Sequence, residues 1–284
     1  MNNIVVVVDS VACLLREHID KYGIKVVPLN VHFDGVIYRD GIDINPEKAY
    51  EFLERAPDLF STSPASPEEY TSIFREVCNK GSNIICFTMS SKISTMYNVA
   101  NIAKDMVENE IIRMSIEIVD SKTVTASEGL LALETAKFIG DGGTFSAAVQ
   151  FAKEAREKVG AVFTMETLKY VYRTGRIPKV ASKIGSMLPI KPIIIVRDGA
   201  AHISGFARTK NGSIDRVIKT LKTNIGDNPV KIAVMHGQIP EEGKELKNRI
   251  TSEFNCEEAF LTEFSPIMGY ATGRGALGLA YYSE

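Results

Sequence analysis

Residues 84–95 read IICFTMSSKIST: an unbroken apolar run from Ile84 to Phe87, then a tail of hydroxyl side chains. A short continuous apolar run that ends in polar residues suits a strand buried on both faces. The same signature recurs at Ile4 to Val8, Ile24 to Leu29, Ile116 to Val119, Ala161 to Thr164, Ile193 to Val196 and Ile232 to Met235. Helix signals lie between the runs. Asn45-Pro46 sets a capping side chain before a proline at the first helical position. Ser66-Pro67-Glu68-Glu69 repeats the device and adds a capping box. Thr144 opens a segment whose Phe145, Ala148, Val149, Ala152, Ala155 and Val159 share one helical face. Alternating buried strands and helices predict α/β architecture.

The 284 residues suit two domains, on a prior of about 150 residues each. A tight join at Val159-Gly160, followed at once by the strand-like AVFT, divides them. Residues 1–159 form an N-terminal parallel-sheet domain, and residues 160–284 a C-terminal α/β domain. Lys plus Arg total 33 and Asp plus Glu 35, so the net charge is -2, which leaves no basic footprint for nucleic acid or an anionic membrane. No apolar stretch approaches the roughly 20 residues that span a bilayer, so stable membrane insertion is not expected. The start, MNNIVVVVDS, lacks the basic segment of a signal peptide, and a cytoplasmic location is expected. Cys13, Cys78, Cys86 and Cys256 are dispersed, as are His18, His32, His202 and His236, so neither a disulfide framework nor a metal site is signalled.

Open α/β sheets bind ligands beyond the carboxyl ends of their strands. The residues found there are Asp9-Ser10, Thr88 to Thr95, Asp120-Ser121-Lys122 and His236-Gly237. Ser61-Thr62-Ser63 adds a polar cluster before the capped helix at Ser66. Together these form a ring of hydroxyls with few charges. Hydroxyls and free helix-terminal N–H groups can seat an anion without a metal. Each one taken alone is more often a helix cap. Asp9, Asp120 and His236 each have a structural reading beside a catalytic one. Gly273, Gly275 and Gly278 fit G-x-G-x-x-G, but residues 264–271 (FSPIMGYA) before them make a poor first Rossmann strand and no βαβ unit follows, so close backbone packing or a tight turn is the simpler reading. There is no G-x-S-x-G elbow.

These short segments, in this order, resemble the DegV family over essentially the full chain. Asp9-Ser10 follows the first strand. Residues 61–67 (STSPASP) resemble the family's T-S-x-P-S, and residues 90–97 (SSKISTMY) its S-S-x-L-S-G-T-Y. Asp120-Ser121-Lys122 matches D-S-K, and residues 170–177 (YVYRTGRI) resemble Y-L-x-x-G-G-R-I. His236-Gly237 matches a further element. Residues 273–278 (GRGALG) resemble the end of H-T-G-P-G-A-L-G. The chain departs at Thr95, Thr174, Ala271 and Arg274, where the family has Gly, Gly, His and Pro.

The resemblance implies two α/β domains with a long-chain fatty acid between them as the ligand, and no other cofactor. It implies that Thr62, Ser90 and Ser91 hold the carboxylate. Ser63, Arg176, Tyr270 and Arg274 would belong to the head-group region or a partner surface. The acyl chain would run past residues such as Phe163, Met165, Leu168, Met187, Leu188, Ile194 and Phe264. The implied partner is a fatty-acid kinase that forms an acyl phosphate for phospholipid synthesis, the chain itself being non-catalytic. Two alternatives stay open: a stand-alone phosphotransferase or hydrolase using Ser90 or Asp9, and a carrier of a different amphiphile.

Overall fold

The computed structural model describes residues 3–111, 113–177 and 190–284. Its strands are β1 (Asn3–Asp9), β2 (Lys25–Val27), β3 (Asn30–Phe33), β4 (Val36–Arg39), β5 (Phe60–Ser63), β6 (Ser82–Thr88), β7 (Ile116–Asp120), β8 (Val159–Thr164), β9 (Lys191–Arg197), β10 (Ala200–Ala207), β11 (Val230–His236), β12 (Cys256–Glu263) and β13 (Leu277–Ser283). Its helices are α1 (Arg16–Tyr22), α2 (Pro46–Arg55), α3 (Pro67–Asn79), α4 (Met96–Glu110), α5 (Ala126–Gly140), α6 (Phe145–Ala155), α7 (Lys169–Thr174), α8 (Lys210–Ile225), α9 (Pro240–Glu253) and α10 (Pro266–Thr272).

The fold comprises two α/β domains. In the first, β2-β1-β6-β7 make a sheet that is parallel throughout. Ile84, Ile85, Cys86 and Phe87 are all fully buried, as helices on both faces of a parallel sheet require. In the second, β10-β9-β8-β13-β11-β12 make a mixed sheet, antiparallel except where β11 meets β12. A small antiparallel sheet, β4-β3-β5, packs against α10. No helix among the described residues is long and apolar enough to cross a membrane.

The three caps form as read. Asn45 accepts from Lys48 N, Ser66 completes a reciprocal box with Glu69, and Thr144 accepts from Ala147 N. Other elements differ from the expectation. The run Ile24 to Leu29 breaks at Pro28, which has no N–H to give a ladder, so β2 stops at Val27 and the chain resumes as β3. Ser61-Thr62-Ser63, read from the sequence only as a polar cluster, is part of β5, with Thr62 opposite Val31 of β3. The Gly-rich tail holds α10, a turn in which Gly273 and Gly275 take positive φ, and β13. At Gly278 a Cβ would come within 2.2 Å of the Phe163 Cβ, so glycine lets β13 lie against β8.

Helix α5 joins the two domains. Residues 126–136 are all buried, and the helix packs against β1 and β6 on one side and β8, β11 and β13 on the other. Hydrogen bonds also cross: Thr262 Oγ1 donates to the Cys13 carbonyl at 2.6 Å, and Ser90 Oγ to the Gly199 carbonyl at 2.6 Å.

Candidate functional site

An apolar cavity of about 120 Å³ opens where the two domains meet. Strand β5 contributes Thr62 and Ser63, and the loop after β6 contributes Met89, Ile93 and Ser94. From the second domain come Phe163, Met165, Val171, Ile177, Ile194 and Ala201, while α10 supplies Ile267, Met268 and Tyr270 to Thr272. In β5, Phe60 is buried and Ser61 exposed, and alternation sets Thr62 on the side of Phe60.

Ser94 sits where the loop passes into α4. Ile93 N and Ser94 N both donate to the Ser90 carbonyl, and Ser94 Oγ accepts from Met96 N at 3.3 Å. The Ncap residue, Thr95, makes no side-chain cap. Free N–H groups of the first turn of α4 therefore lie beside a cavity-lining hydroxyl, at the positive end of a 15-residue helix. Of the long hydroxyl run, Ser94 is the residue that sequence reasoning did not select. Its signal was its place immediately ahead of the helix.

The expected trio of Thr62, Ser90 and Ser91 does not converge. Ser90 is fully buried, and its hydroxyl is spent on Gly199 of the other domain. Ser91 directs its hydroxyl and N–H to the Asp120 carboxylate, away from the apolar cavity. Asp9, the other residue of the enzymatic alternative, is fully buried and caps the short turn after β1. Its carboxylate accepts from Val11 N and Met89 N, and burial pushes its pKa up to about 6.

Arg176 lies at the cavity edge. Its Nε donates to the Ile93 carbonyl at 3.1 Å and a terminal nitrogen donates to the Thr174 carbonyl, so an exposed guanidinium ties the exit of α7 to the Ser94 loop. Tyr270 lines the cavity, with its ring stacked on Phe60 at 5.3 Å and the Arg173 guanidinium over it. Ser63 is hydrogen-bonded to His32 at 2.8 Å. Arg274 does not reach the cavity; it pairs with Glu54 at 2.8 Å on the surface. Ala271 lines the wall. Phe163, Met165 and Ile194 line the cavity, and Leu168 and Phe264 are buried in the surrounding core. Met187 and Leu188 lie outside the described residues.

Chemically the site is an apolar chamber whose polar atoms are hydroxyls, helix N–H groups and one guanidinium. Among the described residues no cluster of His, Cys, Asp and Glu could hold a metal ion. An amphiphile with a single anionic end suits such a chamber.

The chain matches a family described as "Uncharacterised protein, DegV family" over residues 3–284. It is 30% identical over 280 residues to a DegV domain-containing protein of Clostridium perfringens, covering 98% of each chain. A stearic-acid-binding protein from Eubacterium ventriosum superposes with a TM-score of 0.89 at 30% identity, covering 100% of this chain and 98% of that one. DegV of Bacillus subtilis, a fatty-acid-binding protein, gives 0.88 at 26% identity, with both chains fully covered.

Proposed function

The chain belongs to the DegV family, and on that premise we propose that it binds one long-chain fatty acid, with the carboxylate at Thr62 and Ser94 and the acyl chain in the apolar cavity. The observation that carries this reading is that Thr62, and Ser94 just ahead of the N-terminus of α4, line a mainly apolar chamber. The fatty-acid ligands of the Eubacterium ventriosum and Bacillus subtilis relatives support it.

The energetics are favourable. Burying about 14 methylenes at ~0.8 kcal/mol each offers roughly 11 kcal/mol before association costs. A buried carboxylate needs hydrogen-bonded partners, which neutral hydroxyls and helix N–H groups supply. Met89, Met165 and Met268 line the cavity, and unbranched methionines repack readily, so the chamber can widen beyond its closed volume as a chain enters. The test is titration of delipidated protein with stearate. Saturable one-to-one binding is the expected result, and no binding would refute the reading.

We extend this reading to a non-catalytic role in the cytoplasm, in which the bound carboxylate is presented to a fatty-acid kinase that carries the nucleotide and metal. The exposed Arg176 at the cavity edge supports it, since a guanidinium suits an incoming phosphate. Geometry disfavours the enzymatic alternative: Asp9 and Ser90 are fully buried, and their polar atoms are already hydrogen-bonded. Incubating the loaded protein with a kinase subunit and ATP, and trapping acyl phosphate as the hydroxamate, checks coupling. Hydroxamate formed with ATP but without the kinase would reinstate the enzyme.

A further inference from the structure

A second cavity lies on the far side of the contact between Ser90 and Gly199. It measures about 610 Å³, several times the apolar one, and its lining is largely polar. Its floor is built from Ser91 and Lys92 after β6 and from Asp120 and Lys122 after β7. These are the carboxyl ends of adjacent parallel strands, the position at which α/β sheets take ligands. The opposite wall comes from the second domain, through the turn Arg197 to Gly199 and Tyr281.

The charges in this cleft are not all committed. Glu157 is shared by Lys122 at 3.1 Å and Arg156 at 3.3 Å. The Asp120 carboxylate is occupied by the N–H and hydroxyl of Ser91 and by Lys122 N. Among the described residues, the cations Lys92 and Arg197 are in no ion pair, and neither is the one remaining carboxylate of the lining, Asp198. Both cations line the cleft, and a Cβ placed on Gly199 would lie 3.5 Å from the Lys92 Cδ, so the lysine stem runs along the turn that follows Arg197. That turn is rigid, because Asp198 and Gly199 both take positive φ, the two-residue Asp-Gly form of a tight hairpin. Tyr281 is also fixed. Its ring lies over Gly160, where any Cβ would come within 2.2 Å of the Tyr281 hydroxyl oxygen. That oxygen accepts from Asn224 at 2.9 Å, which leaves its own proton free to donate.

We propose that this cleft is a phosphate site, separate from the apolar cavity, in which Lys92 and Arg197 clamp a phosphate or phosphate monoester and the Tyr281 hydroxyl donates a further hydrogen bond. An ammonium, a guanidinium fork and a hydroxyl provide more charge-assisted donors than a carboxylate's two oxygens use well, and a tetrahedral phosphate with three or four oxygens suits them better. The cleft's size leaves room for the body of a small ester. The inference does not depend on what the apolar cavity holds. It does predict communication between the two, because the loop from Ser90 to Ser94 presents Lys92 to one and Ser94 to the other.

The test is an amide-resonance titration of the full chain with inorganic phosphate and with glycerol phosphate at constant ionic strength. Saturable shifts centred on Ser91, Lys92 and Gly199 are expected. Lys92→Ala with Arg197→Ala weakens them about tenfold or more, and Tyr281→Phe, which keeps the packing, weakens them less. The double variant retains its melting temperature and its stearate binding, since both side chains are exposed and neither lines the apolar cavity. Tighter binding of the ester assigns a phosphorylated metabolite, and equal binding assigns the free ion. Shifts that fail to saturate, that chloride reproduces, or that survive unchanged in the double variant would overturn the proposal.

Discussion

Of the hydroxyls in the loop after β6, Ser94 faces the apolar cavity, Ser90 holds the other domain and Ser91 holds Asp120. Their functions therefore separate in mutants. Thr62→Val or Ser94→Ala lowers stearate affinity about tenfold or more, the cost of one hydrogen bond to a buried charge. Ser90→Ala leaves affinity unchanged but lowers the melting temperature, because the buried Gly199 carbonyl loses its partner. Calorimetry with stearate and thermal melts of the three variants check the pattern. Asp40 gives a prediction in pH. Burial pushes its carboxyl up to about 7, opposed by the hydroxyls of Ser10 and Ser265 and the N–H of Ile267. The folded chain thus holds a proton that the unfolded chain releases near its ordinary value of 3.8, so this stability is full in acid and is lost as pH rises to about 7. Asp9 acts in the same sense, and His18 and His236, lowered by burial, act in the opposite one. Asp40→Asn isolates the effect: its melting temperature relative to the parent should climb between pH 5 and 7, about where the carboxyl ionises, and a flat difference would contradict the assignment. At this scale the family resemblance singled out Thr62, which lines the cavity, whereas the choice among Ser90, Ser91 and Ser94 was not legible. Turn geometry makes it, through two N–H groups bonding one Ser90 carbonyl.

At the scale of elements, local chemistry was readable and remote pairing was not. The capping box at Ser66 and Glu69 forms as its spacing demands, and Ser66→Ala should destabilise the chain by about 1 kcal/mol, measured by denaturant unfolding. The parallel strands were visible because burial on both faces leaves an uninterrupted apolar run. Strand β5 was hidden, since FSTS has no such run and forms only by pairing with β3, some thirty residues earlier. Helix α5 was hidden for the opposite reason. Buried nearly all round between the two domains, it has no polar face to mark a period. The glycines of the tail were legible as close packing, and Gly278 bears this out against Phe163. Gly278→Ala should lower the melting temperature by forcing β13 from β8, a shift read by thermal unfolding.

For the whole molecule, the sequence indicated the α/β class and the family, while the cavity itself is a product of assembly. Its walls come from β5, the loop after β6, β8, β9, β10 and α10, and no local pattern shows that these converge. Convergence depends on α5 packing against both sheets and on the bonds from Ser90 to Gly199 and from Thr262 to Cys13. The same assembly sets the apolar chamber and the charged cleft back to back, with one loop between them. The central claim is that the chamber holds a fatty acid. Native mass spectrometry of the purified chain, followed by denaturation and lipid identification, tests it most directly. The account predicts one long-chain fatty acid per chain, depleted in a Thr62→Val, Ser94→Ala double variant. A chain that is empty and stays empty when stearate is added, or one that carries a different class of molecule, would contradict it.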